Sequence, residues 1–291
     1  MTAPRGWPDL PAAVRGPFPD APSRLVTSRD GVPIAVFEAG ATDRSEPPLI
    51  LVHGATADHT TFRAVAPVLG LRRRVHAVDR RGRGASGDRA GYAIELEFDD
   101  LAAVAEAIGG AAEGSVDILG HSYGGRCALG GSLRTSAIRR VIAYESAALP
   151  EGVSYRPDGF LEAVRADLAR GDKEAALSDF LAGIVGMSGA ELDRYRAEPV
   201  WPARVAAAHT ILREVEAETT PAAGLEALGR VSAPVLLIVG GQSRSPFGIG
   251  TTALADRLAD ATVVTIEGAA HAAHHTHVAE FAAAVEAFLD R

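Results

Sequence analysis

Short apolar runs alternate along this chain with longer stretches in which apolar residues recur at helical spacing. Leu25-Val26-Thr27-Ser28 and Ile34-Ala35-Val36-Phe37 flank Arg29-Asp30-Gly31, a strand pair joined by a turn signal. Further runs at residues 49–52, 75–78, 116–119, 141–145, 235–239 and 262–266 predict six more strands, with helical stretches such as 98–108 and 278–289 between them. Strands separated by helices imply an α/β fold: a mainly parallel sheet covered on both faces.

The alternation stops between residues 150 and 228. Segments 160–170, 173–185, 190–196 and 203–217 read as amphipathic helices, and no convincing strand interrupts them. The expected organisation is a Pro-rich N-terminal extension over 1–22, a core built from 23–149 and 229–291, and a helical cap over 150–228. An insertion at that point sits over the carboxyl ends of the strands, where open α/β sheets bind ligands, so it is expected to shape access to the site.

Candidate chemistry centres on Gly120-His121-Ser122-Tyr123-Gly124, which follows the run 116–119 and precedes a helix-compatible stretch over 125–133. A strand, a sharp turn and a helix with serine at the apex require neighbours with almost no side chain, and Gly120, Gly124 and Gly125 meet that need. The turn also aims the unpaired N–H groups of a helix N-terminus at any anion that forms there.

Three further landmarks stand in the matching order. They are Leu49-Ile50-Leu51-Val52-His53-Gly54, the run Val75-His76-Ala77-Val78-Asp79-Arg80-Arg81-Gly82-Arg83-Gly84-Ala85-Ser86, and Gly268-Ala269-Ala270-His271. Together with the serine turn they make the chain resemble the α/β-hydrolase superfamily from about Arg24 to the C-terminus. The resemblance implies an α/β-hydrolase fold with a helical cap after the sixth strand. It also implies a serine hydrolase that cleaves a carboxylic ester, thioester or lactone of a small, largely apolar substrate through an acyl-enzyme. Ser122 is then the nucleophile, His271 the base, and the backbone N–H groups of Ala55 and Tyr123 the oxyanion donors. His53 is expected to brace its loop, and Asp79 to tie its Gly-rich loop by local side-chain to backbone bonds.

The acid departs from the family pattern. Relatives commonly carry it in a Gly-x-x-Asp turn after the seventh strand, but that stretch here reads Val239-Gly240-Gly241-Gln242-Ser243-Arg244, with no carboxylate. The sixth run ends instead in Glu145, an acid position used by some members of the superfamily, and the order Ser122, Glu145, His271 is kept. Glu267, close in sequence to His271, is the rival, and a dyad without an acid stays open. A hydrolase-fold protein that binds a small apolar ligand or runs a non-hydrolytic step is the alternative function; the presence of both Ser122 and His271 favours the hydrolase. His271, His274, His275 and His277 could also be read as a metal cluster. The segment lacks Cys, and Glu280 is its one nearby carboxylate, so no metal and no cofactor are expected.

Composition narrows the partners. A net charge of -8 argues against nucleic acid and acidic membranes, leaving a small-molecule substrate as the expected partner and a homodimer open. Cys127 is the sole cysteine, so no intrachain disulfide forms. No apolar run reaches about 18 residues, and a soluble, cytoplasmic protein is expected. Tyr195 and Trp201 are the expected aromatic contacts in an otherwise aliphatic pocket.

Overall fold

A computed structural model describes residues 16–41, 46–110, 114–146 and 148–291; most of the expected N-terminal extension, residues 1–15, lies outside them. The predicted strands form β1 (Arg24–Thr27), β2 (Pro33–Gly40), β3 (Leu49–Val52), β4 (Arg74–Val78), β5 (Val116–His121), β6 (Ile138–Tyr144), β7 (Val235–Gly240) and β8 (Ala261–Ile266). They make one eight-stranded sheet in the order β1-β2-β4-β3-β5-β6-β7-β8. The β1–β2 and β2–β4 pairs are antiparallel and the remaining pairs parallel. This is the α/β-hydrolase fold.

Side chains alternate across the sheet, as the two-residue period of a strand requires. Ile50, Val52, Ile118, Val141, Ala143, Val235 and Leu237 enter one apolar cluster. Their neighbours Leu49, Leu51, Leu119, Ile142, Tyr144, Leu236 and Ile238 enter another on the opposite face. Helices Ile94–Gly109 and Tyr123–Ser132 cover the first face, and Val278–Leu289 covers the second.

Between β6 and β7 the chain is helical, as expected, but two of its helices are interrupted. The segment over 173–185 is α-helical only through Phe180 and widens to a π-turn over Leu181–Val185, closed by Gly186 at φ 87°. The segment over 203–217 divides into Trp201–Ala206, a 3-10 turn Ala207–Thr210, and Ile211–Ala217. There His209 Nδ1 lies 2.9 Å from the Ala206 carbonyl oxygen and the Thr210 hydroxyl donates to that of Ala207 at 2.8 Å. Side chains that bond the backbone locally compete with the regular ladder. The insertion has its own apolar cluster, which Phe247 joins from helix Ser245–Ala255 beyond β7.

The turn after β5 is the tightest point of the fold. A Cβ on Gly120 would collide with the Gly124 carbonyl, and one on Gly124 with the carbonyls of His53 and Val52 at the end of β3. We expect Gly124→Ala to lower the unfolding free energy by about 1–3 kcal/mol through overpacking, measured by urea denaturation. A variant as stable as the parent would mean that helix and strand can separate there without cost.

Candidate active site

Ser122 follows the last residue of β5 with φ 54° and ψ −125°, a conformation that L-residues rarely adopt. Its N–H donates to the Tyr144 carbonyl at 2.8 Å, so the neighbouring strand β6 holds the turn from the side. The helix begins at Tyr123, two residues earlier than the sequence suggests. Ser122 occupies its N-cap without a side-chain capping bond, and Tyr123 N–H belongs to the first turn, where helix donors lack internal partners. Ala55 follows Gly54, where a Cβ would lie 3.1 Å from that of Ser122. The expected donors Ala55 and Tyr123 therefore come from two different segments, the loop after β3 and the start of the helix after β5.

His53 braces the Gly54 loop from behind. Its Nε2 accepts the Arg80 N–H at 3.0 Å, so Nδ1 carries the proton and donates to the Gly54 carbonyl at 2.8 Å. Burial, and then the charges of Arg80 and Arg83, push its pKa well below the usual imidazole range. Asp79 ties its own loop by accepting the Ala85 N–H at 2.9 Å. It also reaches beyond it, accepting from the His59 backbone N–H and bonding His59 Nδ1, both at 2.9 Å.

Glu145 lies just past β6 rather than on it. Its N–H still donates to Ile238 at 3.0 Å, but its φ of 48° turns the chain out of the sheet. The side chain is fully buried. One oxygen, Oε1, accepts the Gly240 N–H at 2.8 Å, and the other, Oε2, lies 2.5 Å from His271 Nδ1. A carboxylate accepts, so the proton is on Nδ1 and Nε2 presents a lone pair. Glu267 is exposed and makes no bond to His271, and Ser243, in the turn where relatives keep the acid, has a buried hydroxyl without a partner among the described residues.

Several groups that fix His271 carry no sequence signal of their own. Its carbonyl lies 2.8 Å from His121 Nε2, and Phe247 stacks on its ring at 4.5 Å between centroids. The Tyr144 hydroxyl donates to the Ala270 carbonyl and accepts the Ala273 N–H at 3.0 Å. An aromatic residue directly before Glu145 was the one available hint.

The histidine cluster does not converge as a ligand set. His271 Nδ1 is engaged by Glu145, His277 Nδ1 by Thr276, and His274 is buried against Phe62, His121 and His275. Among the described residues only Asp58, His59 and Asp79 bring three ligand atoms together. Those atoms already bond one another or Thr60.

Ser122 and His271 open into a cavity of about 500 Å³ walled by Gly54, Ala55 and Thr56 on the core side and by the insertion on the other. Tyr195 lines it, as expected. Trp201 does not: it is buried behind Tyr195, packing edge-on against that ring and donating to Glu174 at 3.3 Å.

A family model described as the alpha/beta hydrolase family matches residues 49–284. Among solved structures, an alpha/beta hydrolase from Sphaerobacter thermophilus is 30% identical with a TM-score of 0.74, over 89% of this chain and 99% of that one. The esterase RhEst1 from Rhodococcus sp. is 22% identical with a TM-score of 0.70, over 92% and 98%, a likeness of fold alone. The probable oxidoreductase EphD of Mycobacterium tuberculosis is 39% identical over 106 residues, 35% of this chain but only 17% of that relative. No helix among the described residues is long and apolar enough to cross a membrane.

Buried histidines make stability depend on pH. Burial, the largest cause in each case, holds His53, His121 and His274 well below their usual pKa and lowers His76 to about 4 and His275 to about 3. Below pH ~6.5 the unfolded chain takes up protons that the folded chain refuses, so stability falls with acidification by up to about 1.4 kcal/mol per pH unit for each fully buried ring. His59 acts in the opposite sense: burial lowers its pKa but Asp79 more than offsets this, so its contribution is present below pH ~6.5 and is lost as pH rises through the raised value. Urea unfolding from pH 7 to 5 should show decreasing stability, with a shallower slope in His76→Gln. A flat profile would contradict the assignment of these rings as neutral.

Proposed function

The chain belongs to the alpha/beta hydrolase family, and from that membership we propose that it is a serine hydrolase of carboxylic esters, thioesters or lactones working through an acyl-enzyme. The observation that carries the reading is the clamp on His271. Glu145 fixes Nδ1–H at 2.5 Å while Gly240 fixes Glu145, in the same cavity as a serine on a strained strand-to-helix turn.

Ser122 Oγ attacks the substrate carbonyl carbon as His271 Nε2 takes its proton. The buried Glu145 carboxylate holds the imidazole in this tautomer and stabilises the imidazolium that forms. Charge developing on the carbonyl oxygen is met by the N–H groups of Ala55 and Tyr123, backbone donors already fixed by the packing around Gly54 and Gly124. His271 then protonates the departing alcohol or thiol, and in the second half it activates the water that releases the acid. The helical insertion serves as the cap, since Phe180, Leu181, Ile184 and Tyr195 supply the cavity's apolar side and suit an apolar part of the substrate.

Ser122→Ala should abolish labelling by a serine-directed phosphonate and reduce ester hydrolysis by several orders of magnitude; retained turnover would sink the reading. Glu145→Gln should fold normally yet lower kcat by roughly 10²- to 10⁴-fold, with Glu267→Gln far milder. Near-parental activity in Glu145→Gln would remove Glu145 from the mechanism. Hydrolysis should also survive thorough chelation, and recovery by zinc after a loss would redirect attention to the histidines.

A further inference from the structure

The cavity over Ser122 is apolar where the π-turn lines it, but its wall also carries two guanidinium groups, those of Arg63 and Arg204. Both side chains are partly buried, and neither forms an ion pair among the described residues. Arg63 donates to the Thr60 carbonyl at 3.4 Å; Arg204 donates to the Ala55 carbonyl at 3.4 Å and to Thr56 Oγ1 at 3.5 Å. Three fully buried arginines elsewhere, Arg80, Arg81 and Arg83, each meet carboxylates instead. The one carboxylate on the cavity wall, Glu198, is exposed and pairs with neither.

A second observation points the same way. His274 lines the cavity at 1% exposure, and neither ring nitrogen has a hydrogen-bond partner among the described residues. A neutral imidazole always carries one N–H, so a buried donor that lines the same cavity as the two cations lacks an acceptor among the described residues. The charges are felt within the cavity, since after burial itself it is Arg63 and Arg204 that depress the neighbouring His275. Partly buried positive charge and an unpaired donor together describe a site for an anion.

Resting on the serine-hydrolase reading, we propose that the substrate carries a free carboxylate besides its scissile carbonyl, with Arg63 and Arg204 supplying the counter-charge. The class is half-esters, half-thioesters or carboxylated lactones derived from short dicarboxylic acids. Their methylene portion would lie against Phe180, Leu181 and Ile184. Arg63 and Arg204 thus act in specificity, and the chemistry stays with Ser122.

Two measurements separate this inference from the reading beneath it. Calorimetry on Ser122→Ala with succinate, glutarate and adipate, each beside its neutral diamide, reads the anion site without any turnover. At least one diacid should bind roughly 10- to 100-fold more tightly than its diamide, the range expected for charged hydrogen bonds. In the intact enzyme kcat/KM should favour the monomethyl ester of that diacid over its dimethyl ester by a similar factor, mainly through KM. Arg63→Gln and Arg204→Gln should each move both ratios toward one, and Arg204→Lys should retain part of the preference. Equal binding of diacids and diamides across the series, or ratios unchanged in both Gln variants, would overturn the proposal, and the comparison in the parent background does not depend on any arginine variant folding. Diacid binding that persists while a neutral phosphonate fails to label Ser122 in the parent would instead remove the serine-hydrolase reading and leave the anion site standing.

Discussion

The site depends on how two adjacent strands end. β5 and β6 run parallel with His121 opposite Tyr144, and each hands over to a non-glycine residue in the left-handed region, Ser122 at φ 54° and Glu145 at φ 48°. Left-handed backbone carries a cost of order 1–3 kcal/mol per residue and persists only where the surroundings impose it. Here the ladder itself imposes it: Ser122 N–H is bonded to Tyr144, and Glu145 N–H to Ile238 on β7. The sheet's register therefore fixes the spacing of the serine and the carboxylate before any side chain is considered. His271 only has to be delivered to them by the loop after β8.

Beneath the turn lies a group of charges withdrawn from water. Arg80 donates to both oxygens of Glu97 at 2.7 Å and to Glu214 at 2.5 Å, and Arg83 meets Glu214 as well. Tyr92 bonds Glu97 at 2.9 Å and the Tyr123 hydroxyl at 2.8 Å. Enclosing these groups separately would be prohibitive, and together each offsets the desolvation of the next. Glu214 belongs to the insertion, Arg80 and Glu97 to the core, and Tyr123 follows the serine. The polar contacts that seat the insertion are thus continuous with those under the turn.

The strands were legible because parallel, doubly covered strands leave uninterrupted apolar runs, and the serine turn because close packing leaves glycine as the residue that fits. Glu145 was legible as a carboxylate at the end of such a run, once Ser243 had shown that the usual position was empty of charge. What could not be read depends on partners far apart in the chain. Phe247 becomes a neighbour of His271, and Tyr144 a clamp on Ala270, only after β6, β7 and β8 align. The division of segment 203–217 escaped for a local reason: a helical apolar period does not reveal that His209 and Thr210 will bond their own backbone. Nothing in the sequence of the amphipathic segment 203–217 singles out Arg204, and only the cavity shows that it lines the site.

The turn after β7, which carries no carboxylate, has a structural task of its own. Arg244, next to the serine that stands where relatives keep a carboxylate, donates to the carbonyls of Gly183 at 2.6 Å and Ile184 at 2.8 Å, the π-turn that walls the cavity. A π-turn leaves carbonyls poorly served by the helix, and a guanidinium fork satisfies two at once. At about 1.5–3 kcal/mol for each charged hydrogen bond, this rivet resists lifting of the wall at that edge. The loop after β7 therefore anchors one wall of the cavity, which can yield only if two charged hydrogen bonds break with it.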